Sequence, residues 1–161
     1  MLHLGEASAT AVQTLLNQNI SMWPEQSKQP VMPKDISNLD GEELSELFSR
    51  LTAWSNFVAG QLAAAQVDEV FLEKKLESVR AQLLLTKGAT KAKGDTVTLI
   101  KAQVNADPMI VSLEEKSMAA YAYRKMIEVV SNNFERDIAL ISREITRRTN
   151  DFRSRKEKYT I

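Results

Sequence analysis

Between Asp40 and Lys87, side chains recur at steps that alternate between four and three: Leu44, Phe48, Leu51, Ser55, Val58, Leu62, Ala65, Glu69, Leu72, Leu76, Val79 and Leu83. Only Ser55 and Glu69 in this series are polar. A repeat averaging 3.5 residues holds one apolar stripe on one face of a helix, which is the pattern that lets helices wrap around each other. At 1.5 Å per residue such a helix is roughly 70 Å long. A compact globule of 161 residues cannot cover it, so a partner helix must come from later in the chain or from another copy. The polar steps at Ser55 and Glu69 cost stability and can specify register or copy number. Ala59, Gly60, Ala63, Ala64 and Ala65 allow close helix approach, or a bend at Gly60.

The boundaries of this helix are written in its flanks. Asp40 with Glu43 three residues on forms a capping box, and Glu42, Glu43 and Glu46 suit the positive end of the helix dipole. Gly88 is the expected stop. A polar connection with Lys91 and Lys93 between Gly88 and Gly94 follows. Asp95 is then a candidate cap for a short element from Thr96 to about Asn105. Val97-Thr98-Leu99-Ile100 would suit a strand by propensity, but no second strand candidate exists, so one or two helical turns are expected. Asp107-Pro108 is a strong helix start. The helix it opens is expected to reach about Arg155, with a stripe of Leu113, Ala120, Tyr123, Ile127, Val130, Phe134, Ile138, Ile141, Ile145, Thr149 and Phe152. The two four-residue steps from Val130 to Ile138 read as a stutter that locally unwinds a supercoil.

Residues 1–39 read as a flexible arm. Val12, Leu15, Leu16 and Ile20 can form a short amphipathic helix, but Trp23-Pro24, Pro30 and Pro33 forbid continuous helix. Alternatively Leu15, Leu16, Met22 and Trp23 anchor the arm on a neighbour or a partner protein. The expected fold is therefore all-α: an arm over 1–39, then one helical-hairpin domain over 40–161. That domain comprises a long helix 40–87, a basic loop and short helix 88–106, and a long helix 108–155. Copies are expected to associate into a homo-oligomeric helical bundle.

Catalytic signals are missing. His3 is the only histidine and there is no cysteine, which removes imidazole pairs, thiolate metal sites and disulfides. No nucleophile motif or phosphate-cradling glycine loop occurs. Glu42, Glu43, Glu46, Glu114 and Glu115 read as solvated faces or dipole partners rather than metal ligands. The chain is expected not to be an enzyme and to need no cofactor. No apolar run approaches the 18 or so residues of a membrane span, and a cysteine-free chain suits a reducing cytoplasm.

Charge is the remaining signal. The formal net charge is zero, yet residues 1–73 carry −7, 74–101 carry +5, 102–142 carry −2 and 143–161 carry +4. Such segregation prompts a search for an anionic partner. The first basic patch is Lys74, Lys75, Arg80, Lys87, Lys91, Lys93 and Lys101. It can neutralise phosphates without reading sequence, although Phe71 is the only aromatic nearby and single-strand binders usually supply stacking platforms. Alternatively these lysines solubilise the helix and pair with Glu73, Glu77 and Asp95. The second patch is Arg143, Arg147, Arg148, Arg153, Arg155, Lys156 and Lys158, interleaved with Phe152 and Tyr159. Arginine forks suit phosphate, and equally the acidic first half of a neighbouring copy.

The order of these features resembles the phage recombination mediators of the UvsY type. The similar residues are the basic segment Glu73-Lys74-Lys75-Leu76-Glu77-Ser78-Val79-Arg80, the Gly88-to-Gly94 loop, and Ile100-Lys101-Ala102-Gln103-Val104-Asn105-Ala106-Asp107. Ala120-Tyr121-Ala122-Tyr123 and Ser142-Arg143 follow on the last helix. The likeness covers roughly residues 70–152 and does not extend to the acidic first half or the proline-rich arm. It implies a small all-helical protein assembling into a ring-like homo-oligomer. Such a protein binds single-stranded DNA non-specifically and helps a recombinase displace a single-strand-binding protein. It implies DNA contacts late in the helix before the glycine loop, here Lys74, Lys75 and Arg80, and the host-cell cytoplasm as location. The competing reading is a structural or inhibitory coiled-coil protein that binds only protein.

Overall fold

The computed structural model describes residues 4–18, 28–90 and 96–158, with side chains as far as Ser154. The described residues are all-α. In chain order they form α1 (Glu6–Asn17), a turn of 3-10 helix (Ile36–Asn38), α2 (Gly41–Ala89), α3 (Val97–Asn105) and α4 (Pro108–Lys158). The chain divides into two compact units: residues 1–20 with 61–126, and residues 21–60 with 127–161. This division differs from an arm followed by one domain, because each unit contains part of the stretch that precedes α2.

The helix starts follow local chemistry. Asp40 Oδ1 accepts the N–H groups of Glu42 and Glu43 at 2.8 Å each, and the Glu43 carboxylate accepts the Asp40 N–H at 2.9 Å. Three first-turn donors that would otherwise lack partners are thereby satisfied. Asp107 Oδ1 accepts from Met109 N–H at 3.0 Å, with Pro108 as the first residue of α4. Two boundaries differ from expectation. Gly88 keeps helical backbone, and α2 runs on to Ala89. Thr96 caps α3, its hydroxyl accepting from Leu99 N–H at 3.2 Å; the expected cap, Asp95, lies outside the described residues.

All twelve positions of the α2 stripe are buried or half-buried. The α4 stripe needs correcting. Its covered positions include the series Ile110, Leu113, Ser117, Ala120, Arg124, Ile127, Ser131, Phe134, Ile138, Ile141, Ile145 and Arg148, with Glu114, Tyr123, Glu128, Asp137 and Glu144 half-buried beside it. The series alternates three and four without a break. Val130 is 37% exposed and the neighbouring Ser131 only 7%, so the expected stutter is absent. Following apolar residues alone selects Val130, whereas an unbroken 3.5 repeat selects Ser131. Thr149 and Phe152 are likewise exposed rather than on the stripe. Val130→Ser is therefore expected to change stability by about 0.5 kcal/mol or less, as surface substitutions usually do. A loss of several times that in a denaturant titration would restore Val130 to the core.

In the unit of residues 21–60 and 127–161, the core is Leu44, Leu51, Val58, Phe134 and Ile141, flanked by Ile36, Phe48, Trp54, Ile127, Ile138 and Ile145. In the unit of residues 1–20 and 61–126, α2 and α4 run antiparallel. Glu69 meets Arg124, Arg80 meets Glu114, and Lys87 meets Asp107. Ile100 and Val104 of α3 are buried in this unit, with Ile110 and Leu113 of α4.

The N-terminal helix of that unit is attached in a specific way. Asp68 on α2 accepts Gly5 N–H at 2.7 Å, Ser8 N–H at 3.0 Å and the Ser8 hydroxyl at 2.5 Å. A distant carboxylate thus serves as the cap of α1, which lacks a capping side chain at Gly5. A Cβ on Gly5 would lie 2.5 to 2.7 Å from the Asp68 carboxyl atoms, so the approach requires glycine.

Candidate nucleic-acid interface

Lys74 to Lys87 occupy successive turns of the second half of α2, and Lys101 lies on α3. A helix presents cations seven residues apart on one side, and Arg80 and Lys87 have that spacing. Both turn towards α3 and the start of α4. Arg80 holds Glu114 of α4 through Nη2. Lys87 Nζ donates to the Gln103 carbonyl at 3.2 Å and lies 3.8 Å from the Asp107 carboxylate. Lys101 stands on the other side of a cleft of about 340 Å³ lined by Arg80, Leu84, Lys101, Val104 and Asn105. Arg80, Lys87 and Lys101 are therefore gathered around α3.

Lys74 and Lys75 point elsewhere. Lys74 donates to Glu77 at 2.9 Å, and this hydrogen bond raises the lysine's affinity for its proton. Lys75 lies 3.5 Å from Glu6 of α1 and 5.4 Å from the centre of the Phe71 ring. Lys91 and Lys93 lie outside the described residues.

Four of the five described cations in this patch thus face a carboxylate: Lys74, Lys75, Arg80 and Lys87. The partners are not all those expected, since Glu6 and Glu114 come from other helices and Asp107 from the connection between α3 and α4. Only Lys101 makes no ion pair with a described residue. Exposed pairs such as Lys75–Glu6 are worth about 0–1 kcal/mol, so a polyanion can replace their carboxylates at small cost, whereas Lys87 and Asp107 are half-buried. A patch of paired lysines is weaker than its formal charge suggests, without being closed to phosphate.

The second patch is divided more sharply. Arg148 Nε donates to Glu144 at 2.7 Å, Nη1 to the Leu39 carbonyl at 2.7 Å, and Nη2 to the carbonyls of Ile36 and Ser37 at 3.2 and 3.1 Å. Its guanidinium clamps the turn before α2. Arg147 donates two bonds to Glu144 and one to Asp151. Arg143 and Arg153 are exposed and make no ion pair with a described residue. The side chains of Arg155, Lys156 and Lys158 lie outside those described.

The hydrogen bonds from Arg147, and then from Arg148, pull the Glu144 carboxyl down to about 2 from its ordinary 4.5. A carboxyl that binds its proton more weakly in the fold stabilises the fold at pH above its ordinary value. That contribution is lost as pH falls from 4.5 towards 2. Acid titration followed by NMR is expected to show Glu144 protonating with the release of the Ile36–Leu39 carbonyls from Arg148. Glu144→Gln should remove that transition.

Among the described residues, no group of three or more histidines, aspartates or glutamates is placed to hold a metal, and no helix is long and apolar enough to cross a membrane. Asn105 was not singled out by sequence, and an asparagine at a helix end gives no signal of its own. Asp68 and Arg124 were also missed, although acidic residues adjacent at 68 and 69 inside an apolar repeat were a visible anomaly. Compared with protein families, curated proteins and solved structures, the chain has no match.

Proposed function

We propose that the protein is a non-catalytic helical accessory factor that binds single-stranded DNA without sequence preference and acts as a recombination mediator of the phage type. The observation that supports DNA binding is the gathering of Arg80, Lys87 and Lys101 around α3, beside a cleft with no acidic residue among its described lining. The recombination role, the homo-oligomer, and the recombinase and single-strand-binding protein as partners rest on the resemblance between residues 70 and 152.

The test is an anisotropy titration of a labelled single-stranded oligonucleotide at several salt concentrations, with molar mass measured on the same sample. For single strands, log K falls with log salt at a slope of about −0.7 per phosphate neutralised. With most of the patch paired internally, a slope of about −1 to −3 is expected for each copy bound. Absence of binding at low salt would overturn the reading.

A second reading, a coiled-coil protein that binds only protein, is favoured by a different observation. Val111, Met118 and Met126 of α4 are 41%, 68% and 70% exposed. Exposed apolar residues that group on one helix face can mark a protein contact. Protein capture that survives removal of every exposed lysine in the first patch would support it.

A further inference from the structure

The cleft between α2 and α3 differs from the rest of the basic patch. Among the described residues, five line it and none of them is acidic. Lys101 is exposed, with no ion pair to a described residue. Arg80 commits Nη2 to Glu114, which is not among the lining residues, and its buried Nε–H has no acceptor. A buried donor without an acceptor is rare in folded proteins and calls for an explanation, but this Nε is covered, so the groups Arg80 can offer the cleft are its terminal nitrogens. Asn105 adds an amide at the same opening, and buried Val104 with half-buried Leu84 supplies an apolar wall. The volume, about 340 Å³, falls within the roughly 300–1,000 Å³ of small-ligand sites.

We infer that this cleft is a binding site for one phosphate group, held between Arg80 and Lys101 with Asn105 donating from its edge. The inference deepens the proposed function, on which it rests for the source of the phosphate. There it would fix one phosphodiester of a single strand, while the paired cations Lys74 and Lys75 supply only diffuse attraction. A guanidinium and an ammonium complement each other here, one giving directional N–H donors and the other a mobile point charge. The aliphatic wall offers no stacking surface, so the site is expected to hold the phosphate and ignore the base. The same chemistry would also admit a free phosphomonoester.

The experiment uses the full-length chain labelled with ¹⁵N. Inorganic phosphate and an oligothymidylate are titrated separately, and the Asn105 side-chain amide, the Val104 amide and the Arg80 Nε–H are followed. Lys101→Gln and Asn105→Ala are compared with Lys74→Gln; all three residues are exposed, so the fold should survive. Saturable shifts at Arg80, Val104 and Asn105 with both ligands are expected. Lys101→Gln should weaken oligonucleotide binding by about tenfold, the scale of one charge-assisted contact, and Lys74→Gln by less than threefold. If the oligonucleotide binds but shifts only residues outside the cleft, and Lys101→Gln matches Lys74→Gln, the cleft assignment is overturned and the DNA reading stands. If phosphate occupies the cleft and the oligonucleotide does not bind, the site is one for free phosphate and the DNA reading falls. If neither ligand binds, both are overturned.

Discussion

Asp68→Ala is expected to detach α1. The carboxylate is the acceptor for Gly5 N–H, Ser8 N–H and the Ser8 hydroxyl. Hydrogen bonds to a charged group contribute about 1.5–3 kcal/mol each, and less than additively when they share one acceptor. A loss of about 2–4 kcal/mol in the docking of α1 follows. Apolar contact offsets part of it, since Leu4, Val12 and Leu15 are half-buried, whereas Leu16 is 45% exposed and the Glu6–Lys75 pair is a surface one. The check is amide hydrogen exchange: protection over Glu6–Asn17 should collapse while the core around Leu51 and Ile141 keeps its own. Gly5→Ala attacks the same contact from the other side, because its Cβ would overlap the Asp68 carboxyl. The two changes combined should cost no more than the worse of them, the pattern of residues acting through one interaction. Additive losses would show that α1 is attached elsewhere.

Glu69→Ala is the second large effect. Glu69 sits on the α2 stripe and Arg124 on the α4 stripe, joined by two hydrogen bonds from the guanidinium to the carboxylate. Their side chains are 11% and 18% exposed. Removing one member leaves the other charge largely covered without this partner, which costs about 3–5 kcal/mol for a fully buried pair. Here about 3 kcal/mol is expected, because Arg124 retains its contact with the Tyr121 ring. The double replacement Glu69→Leu with Arg124→Leu should recover most of the loss, since an apolar pair escapes the desolvation cost of two charges. Chemical denaturation of the two single variants and the double variant decides this. Equal destabilisation by the double and by Glu69→Ala would mean that packing, rather than the stranded charge, sets the cost.

The Glu69–Arg124 pair also shows why part of the fold escaped the sequence. Glu69 was visible as an interruption of the α2 repeat, but nothing local names its partner fifty-five residues away. The same holds for Asp68, which looks like a solvated helix residue until α1 is placed against it. Conversely, Glu6 and Glu114 carry no mark that they will hold Lys75 and Arg80.

What the sequence by itself determined is whatever depends on neighbours a few residues apart. Asp40 with Glu43, Asp107 with Pro108, and the repeat from Leu44 to Leu83 act within one or two helical turns. Their hydrogen bonds and facing side chains follow from helix geometry alone, so the all-α class and the starts of α2 and α4 were legible. The tertiary structure decided which of two adjacent residues is covered, Val130 or Ser131, because a helix turns only 100° between them and the opposing surface makes the choice. It also decided which lysines of the basic patch remain unpaired, because ion pairing depends on distances of 3 to 4 Å between helices far apart in sequence. The cleft of Arg80, Lys101 and Asn105 exists only once α3 has folded back against α2, where packing of Ile100 and Val104 holds it.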